Sequence, residues 1–261
     1  MLFDAHNHLQ DERLGGNLST VLDRAKEAGV ERMMSCATGA RGDWDRLRAI
    51  ADCNPGRVFV SLGVHPWFLG SVERSWKARL ELALNSGGIG IGEAGLDAHK
   101  GGIAPIEDQM TALAWQMDLA LERNLPITLH CVGVWDKMFE LLRTRPGLCF
   151  VFHSYKGSPE MTREFARLGA YFSIGPSAVF EKRKPMTPTL AAVPPDKLLV
   201  ETDAPDGRIV TNEPSAARQV CSEPSQLVAV CDGAAKILGL AREEIAAKTY
   251  ENAARFFKAG K

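Results

Sequence analysis

Short apolar runs alternate along the chain with longer stretches whose apolar residues recur every three to four positions. The runs fall at residues 2–8, 30–36, 57–62, 88–93, 125–130, 148–153, 170–174 and 197–201. Their length and composition predict strands. The intervening stretches predict helices. Leu18, Val21, Leu22 and Ala25 form a stripe that ends at Gly29, with a cap offered at Asn17. Residues 43–52 put Trp44, Leu47 and Ile50 on one side, and 76–84 repeats the pattern. Pro105 opens the longest helix, buried through Ile106, Met110, Leu113, Met117 and Leu121 and stopping near Asn124. Further helices are expected at 135–142 and 161–168, then around Leu227, Val230 and Ile237, and around Ile245, Tyr250 and Phe256. A Pro-rich segment spans 176–195, and loop is expected from 202 to about Pro224. Gly88, Gly90 and Gly92 mark places where a strand passes its neighbour closely.

Strand–helix alternation argues for a parallel sheet. Eight such units in one chain argue for a closed (β/α)₈ TIM barrel, with a doubly wound open sheet as the alternative. No linker, repeat or low-complexity segment divides residues 1–261, so a single domain is expected.

Composition narrows the function classes. The chain is 45% hydrophobic and 24% charged, and 31 Lys and Arg against 32 Asp and Glu leave a net charge of -1. That is no basic footprint, so contact with a nucleic acid must come from a local patch. No charged leader with an apolar core precedes the first strand, and no run of about 20 apolar residues exists, so neither a signal peptide nor a membrane span is expected. The six cysteines form no Cys-x-x-Cys pair and read as reduced thiols of a cytoplasmic protein. No obligate protein partner is evident.

The chemistry concentrates at the strand ends. His6 and His8 sit one residue apart at the end of the first strand, where alternation turns both to one face. Asp4, two residues earlier, is placed to orient them from behind. His65 follows the third strand, Glu93 ends the fourth, His130 the fifth and His153 the sixth, and Asp203 lies just past the eighth. Five of the six histidines share this placement, with His99 in a loop. In a barrel these ends converge on the face that carries active sites. Four histidines and two carboxylates (His6, His8, His130, His153, Glu93, Asp203) suit Zn²⁺ or Mn²⁺, or Mg²⁺ with extra water. They are too many for one tetrahedral ion, so two divalent metal ions are expected, with Glu93 as the bridge. Such a pair makes a hydroxide near neutral pH, and Asp203 is placed to position the attacking water or take its proton. Glu93 and Asp203 are thus the expected catalytic carboxylates.

The chain resembles the TatD family of metal-dependent deoxyribonucleases, amidohydrolase-like barrels, over almost its whole length. The carriers are Asp4-Ala5-His6-Asn7-His8, Gly63-Val64-His65-Pro66 and Ile91-Gly92-Glu93-Ala94-Gly95-Leu96-Asp97. Leu125 to His130, Phe152-His153-Ser154-Tyr155-Lys156-Gly157-Ser158 and Leu199-Val200-Glu201-Thr202-Asp203-Ala204-Pro205 continue it. Asn212-Glu213-Pro214 and Asn252-Ala253-Ala254-Arg255-Phe256-Phe257 complete it. The resemblance implies that His6, His8, Glu93 and Asp203 hold one ion, and Glu93, His130 and His153 the second. It sets His65 beside a substrate phosphate and makes Glu201 either an acid behind the ligands or a solvated strand end. It implies DNA as substrate, cut 3′–5′ from its ends.

The departures lie in substrate contacts. Val132 stands where the family often has arginine, Asp108-Gln109 where it often has Arg-Gln, and Ala98 and His99 where it often has aromatics. Lys156 is the candidate to restore a phosphate contact, and Trp67 or Phe68 to stack on a base. The alternatives are a carbonyl ester or amide hydrolase of the same barrel type, for example one acting as a D-aminoacyl-tRNA deacylase, and a non-catalytic metal-binding barrel.

Overall fold

The computed structural model describes residues 1–100, 103–180, 186–207, 209 and 221–259. Eight strands form one sheet in sequence order: β1 (Leu2–Asn7), β2 (Val30–Cys36), β3 (Val58–Leu62), β4 (Gly90–Asp97), β5 (Ile127–Val132), β6 (Phe150–Phe152), β7 (Tyr171–Ile174) and β8 (Leu198–Val200). Every neighbouring pair is parallel. The seam between β8 and β1 is bridged just past β8, at the end of β1. There the Asp203 N–H donates to the His6 carbonyl (2.9 Å) and the His8 N–H to the Ala204 carbonyl (2.7 Å). The architecture is a TIM barrel, as the alternation predicts.

The helices are α1 (Glu12–Gly15), α2 (Leu18–Glu27), α3 (Asp43–Asp52), α4 (Trp76–Leu84), α5 (Ile106–Arg123), α6 (Trp135–Arg143), α7 (Pro159–Arg167), α8 (Pro176–Phe180), α9 (Thr187–Ala192), α10 (Leu227–Leu238) and α11 (Arg242–Phe256). Val21, Leu22 and Ala25 form the buried apolar stripe of α2. Asn17 precedes α2 but its side chain makes no capping bond, whereas Ser158 caps α7 through the Met161 N–H. The Pro-rich segment is not simply loop: it contributes α8 and α9, with 181–185 outside the described residues. Asn212-Glu213-Pro214 also lies outside them. Below the sheet a separate cluster joins Phe3, Met34, Val151, Tyr171 and Leu199, from five strands, to Phe256 and Phe257 at the end of α11. No described helix is long and apolar enough to cross a membrane.

Two irregularities re-aim the site strands. The β1–β2 register slips between Asp4 and Asn7, and the β4–β5 register slips between Ile91 and Ala94. Bulges of this kind redirect side chains, and here they bracket His6 and Glu93. Strand β4 also runs on past its expected end, so Glu93 sits within it and Asp97 ends it. Glycine makes that possible. A Cβ on Gly95 would stand 2.0 Å from the His130 carbonyl oxygen, and one on Gly92, whose φ is +126°, 2.6 Å from that of Thr128.

Candidate metal centre

The strand ends bring five histidines onto one carboxylate. Glu93 Oε2 lies 3.4 Å from Nε2 of both His6 and His8. Its other oxygen, Oε1, lies 2.8 Å from His153 Nε2, 3.2 Å from His130 Nδ1 and 3.3 Å from His65 Nε2. Asp203 Oδ1 stands 3.7 Å from Nε2 of both His6 and His8. Among the described residues, three groups of potential ligand atoms fall within 4.8 Å: His6, His8 and Asp203; His6, Glu93 and His153; His65, Glu93 and His130. Ligands about 2.0–2.1 Å from a tetrahedral ion sit roughly 3.3 Å apart, which is the spacing seen here.

The hydrogen-bond pattern fits a cation. His8 Nδ1 bonds the Cys36 carbonyl at 2.7 Å, so the neutral ring carries its proton there and leaves Nε2 bare. That bare nitrogen lies 3.2 Å from His6 Nε2 and faces Glu93, a setting in which a cation fits between them. His130 turns Nε2 to Asp97 Oδ2 (3.3 Å) and Nδ1 to Glu93. His153 Nδ1 faces Glu201 Oε1 at 3.6 Å, leaving Nε2 for Glu93. These are the supports that fix metal-binding imidazoles. His65 differs. Its Nδ1 accepts from the Trp67 backbone N–H (3.2 Å), so Nε2 carries the proton and acts as a donor. Although it stands as near to Glu93 as His130 does, it has no lone pair to offer on that side.

Burial alone would raise the Glu93 carboxyl, but His153, His65 and His6 hold it well below the usual range. Burial drives His6 down to about 4, with His153 adding to it, and His65 likewise to about 4, so both rings are neutral at pH 7. His153 goes well above its ordinary value: burial opposes this, and Glu93 and Glu201 prevail. A proton on His153 and a metal ion therefore compete for the same lone pair. Asp203 is pushed up to about 7, first by burial and then by Glu201 and Glu93. Its φ of +52° lies in the left-handed region, a backbone posture that turns its side chain back over His6 and His8.

One expectation around the site needs correcting, and one pair of alternatives is decided. Asp4 does not orient the imidazoles. It accepts from the Thr202 N–H (2.9 Å) and hydroxyl (2.6 Å), from the Asn7 amide (3.0 Å) and from the His6 backbone N–H (3.4 Å), so it ties β1 to the segment after β8. Glu201 is no solvated strand end: it is fully buried and accepts from the Ser154 N–H at 2.5 Å.

A cleft of about 560 Å³ opens over His8, His65, Glu93, His130, His153 and Asp203. Lys156 is exposed and is not among its described lining residues. The cations that do line it are Arg13 and Arg46. Arg13 forks between Asp11 (2.7 Å) and Asp206 (2.6 Å), and Arg46 pairs with Glu12 (2.9 Å). Both follow the first or second strand, and loops after strands wall the active face of a barrel, which is the signal that points to them. Trp67 also lines the cleft, 43% exposed, with the Lys100 ammonium 4.4 Å from its ring centroid; Phe68 is half-buried. Tyr155 is core: fully buried, with its hydroxyl 3.1 Å from Thr162 Oγ1. Gln109 bonds both the N–H and the carbonyl of Asp97 and so fixes the end of β4.

A TIM barrel that gathers imidazoles and carboxylates at its strand ends has the form of a metal-dependent hydrolase. The profile of the TatD related DNase family matches residues 3–258, and the chain belongs to that family. An uncharacterized metal-dependent hydrolase of Bacillus subtilis (strain 168), YabD, is 30% identical over 261 residues, 99% of each chain. The 3'-5' ssDNA/RNA exonuclease TatD of Erwinia billingiae (strain Eb661) is 31% identical over 212 residues, 78% of this chain and 79% of its own. The crystal structure of YjjV, a TatD homologue from Escherichia coli K12, superposes with a TM-score of 0.89 at 27% identity, covering 98% of both chains.

Proposed function

We propose that this chain is a two-metal phosphodiesterase that shortens DNA from its ends, a 3′–5′ deoxyribonuclease. The observation that carries the reading is the division of Glu93: Oε2 faces His6 and His8, with Asp203 beyond them, and Oε1 faces His130 and His153. A carboxylate with separate potential ligand sets on its two oxygens would suit a pair of ions. His6, His8, Glu93 and Asp203 hold one in this reading, and Glu93, His130 and His153 the other. When bound, two divalent ions polarise the phosphoryl oxygens and acidify a water.

The remaining work falls to the chain. Asp203 reaches the cleft, and its carboxylate takes the proton of the attacking water. His65 presents its Nε2–H to a non-bridging phosphate oxygen. Arg13 and Arg46 attract the strand end at the cleft mouth, and the exposed face of Trp67 stacks on a terminal base. The relative from Erwinia billingiae, named for 3'-5' exonuclease action on ssDNA and RNA, supports both the substrate and the polarity.

The test is a 5′-labelled single-stranded oligonucleotide digested with Mn²⁺, Mg²⁺ or Zn²⁺. The expected result is a ladder that shortens from the 3′ end and disappears with chelator. Turnover of an aminoacyl ester without any oligonucleotide cleavage would replace this reading with that of a carbonyl hydrolase. Metal binding with no turnover of either would leave the non-catalytic barrel.

A further inference from the structure

The Asp97 carboxylate lies beside the candidate centre, almost wholly buried, and has no part in the chemistry above. Each of its oxygens serves two donors. Oδ1 accepts from the backbone N–H groups of His99 (2.8 Å) and Lys100 (3.0 Å). Oδ2 accepts from the Trp67 indole N–H (2.7 Å) and faces His130 Nε2 (3.3 Å). We propose that Asp97 is a positioning residue that locks the His130 ring with Nδ1 toward the metal and joins that lock to the Trp67 wall of the cleft. The inference rests on His130 being a metal ligand.

The argument follows from donor and acceptor counts. An indole N–H and two peptide N–H groups donate and never accept, so both Asp97 oxygens must remain acceptors. The His130 nitrogen facing Oδ2 must then carry the proton. The neutral ring is left with a bare Nδ1, which stands 3.2 Å from Glu93 Oε1 and 3.1 Å from His153 Nε2. A residue outside the ligand set thus fixes which imidazole nitrogen is offered. Its grip is shared with Trp67, so whatever moves the indole acts on the same oxygen that holds His130.

An isosteric change exposes the requirement. In Asp97→Asn one of the two atoms becomes an NH₂ group. Turned toward Trp67 and His130, it opposes the indole donor and forces the imidazole proton onto Nδ1, the atom needed by the metal. Turned the other way, it opposes the N–H groups of His99 and Lys100. Loss of a support behind a ligand typically weakens metal binding about 10–100-fold.

The chelator-stripped full-length protein is titrated with Co²⁺, followed by its d–d absorption and by calorimetry, with circular dichroism to verify the fold. Asp97→Asn is expected to weaken one Co²⁺ site by about 10–100-fold while the other is kept. Trp67→Phe, which removes one donor but leaves Asp97 on His130, is expected to keep both sites. His130→Ala should lose one site; if it keeps both, His130 is no ligand and the metal reading itself fails. If His130→Ala loses a site while folded Asp97→Asn binds like the wild type, the positioning role is refuted. A loss in Trp67→Phe equal to that in Asp97→Asn would also refute it, by tracing the effect to loop packing. Nitrogen NMR of ¹⁵N-histidine-labelled wild type loaded with Zn²⁺ needs no variant: the His130 proton is expected on Nε2, and a proton on Nδ1 overturns the proposal.

Discussion

Replacing Gly95 by alanine tests whether the spacing of β4 and β5 sets the metal centre. The added Cβ would stand 2.0 Å from the His130 carbonyl oxygen and 2.7 Å from its carbon, both backbone atoms. Carbon and oxygen normally stay about 3.3 Å apart, so the strands must separate by more than ~1 Å. A ladder bond near 2.9 Å does not survive that displacement. Four positions are paired beyond the bulge, from Ala94 with Leu129 to Asp97 with Val132. At about 1 kcal/mol net for each broken bond, the loss is about 3–4 kcal/mol, a large part of the roughly 5–15 kcal/mol that stabilises a folded protein. In urea the midpoint should fall accordingly, and the thermal midpoint by about 10 °C. His130 moves with its strand, so Co²⁺ affinity should fall as well. Gly70→Ala is the control: nothing lies within 4 Å of its Cβ position, and stability should be unchanged or slightly higher. Gly95→Ala with wild-type stability and metal affinity would refute the close β4–β5 contact and its role in placing His130.

Asp203→Asn keeps shape but cannot take a proton, so kcat on an oligonucleotide should fall by about 10²–10⁴ with the circular dichroism unchanged; a near wild-type kcat removes Asp203 from the chemistry. Changing His6 and His8 together to alanine should empty at least one site, measured by elemental analysis; full metal content and rate would contradict the role of β1. Asp4, pushed up to about 7 mainly by burial, binds its proton more tightly folded than unfolded. Its contribution to the metal-free protein is therefore fully present below pH ~4 and lost as pH rises toward 7, a decline on the order of 4 kcal/mol. Asp4→Asn should flatten that part of a stability–pH profile, and an unchanged slope would show that Asp4 does not titrate there.

The strands were legible because each is a short apolar run between helical periods, and their order then placed His6, His8, Glu93, His130, His153 and Asp203 on one face. What escaped depends on partners distant in sequence. Gly92-Glu93-Ala94-Gly95 reads as the end of a strand, yet β4 continues to Asp97 because β5 lies close enough to pair with it. Asp4 sits two residues from His6, which suggests a support for the ring, but its nearest donors belong to Thr202, brought alongside only when the barrel closes. The donor state of His65 depends on the turn that brings the Trp67 N–H back onto its ring. Arg13 in α1 and Arg46 in α3 line the cleft because of how the segments after β1 and β2 fold over the barrel mouth, which no periodicity encodes.

The seam between β8 and β1 has a bearing on when this protein can acquire a metal. His6 and His8 precede Asp203 by nearly two hundred positions. The two backbone bonds that join these segments also bring Asp203 over the histidine pair. During synthesis the pair therefore emerges well before Asp203 and lacks that carboxylate until the eighth strand is in place. If this trio holds a cation as proposed, tight capture needs the eighth strand in place, and a polypeptide truncated before that strand should hold the cation only weakly. A circular permutant that made the seam continuous and opened the barrel elsewhere would uncouple metal capture from the order of synthesis.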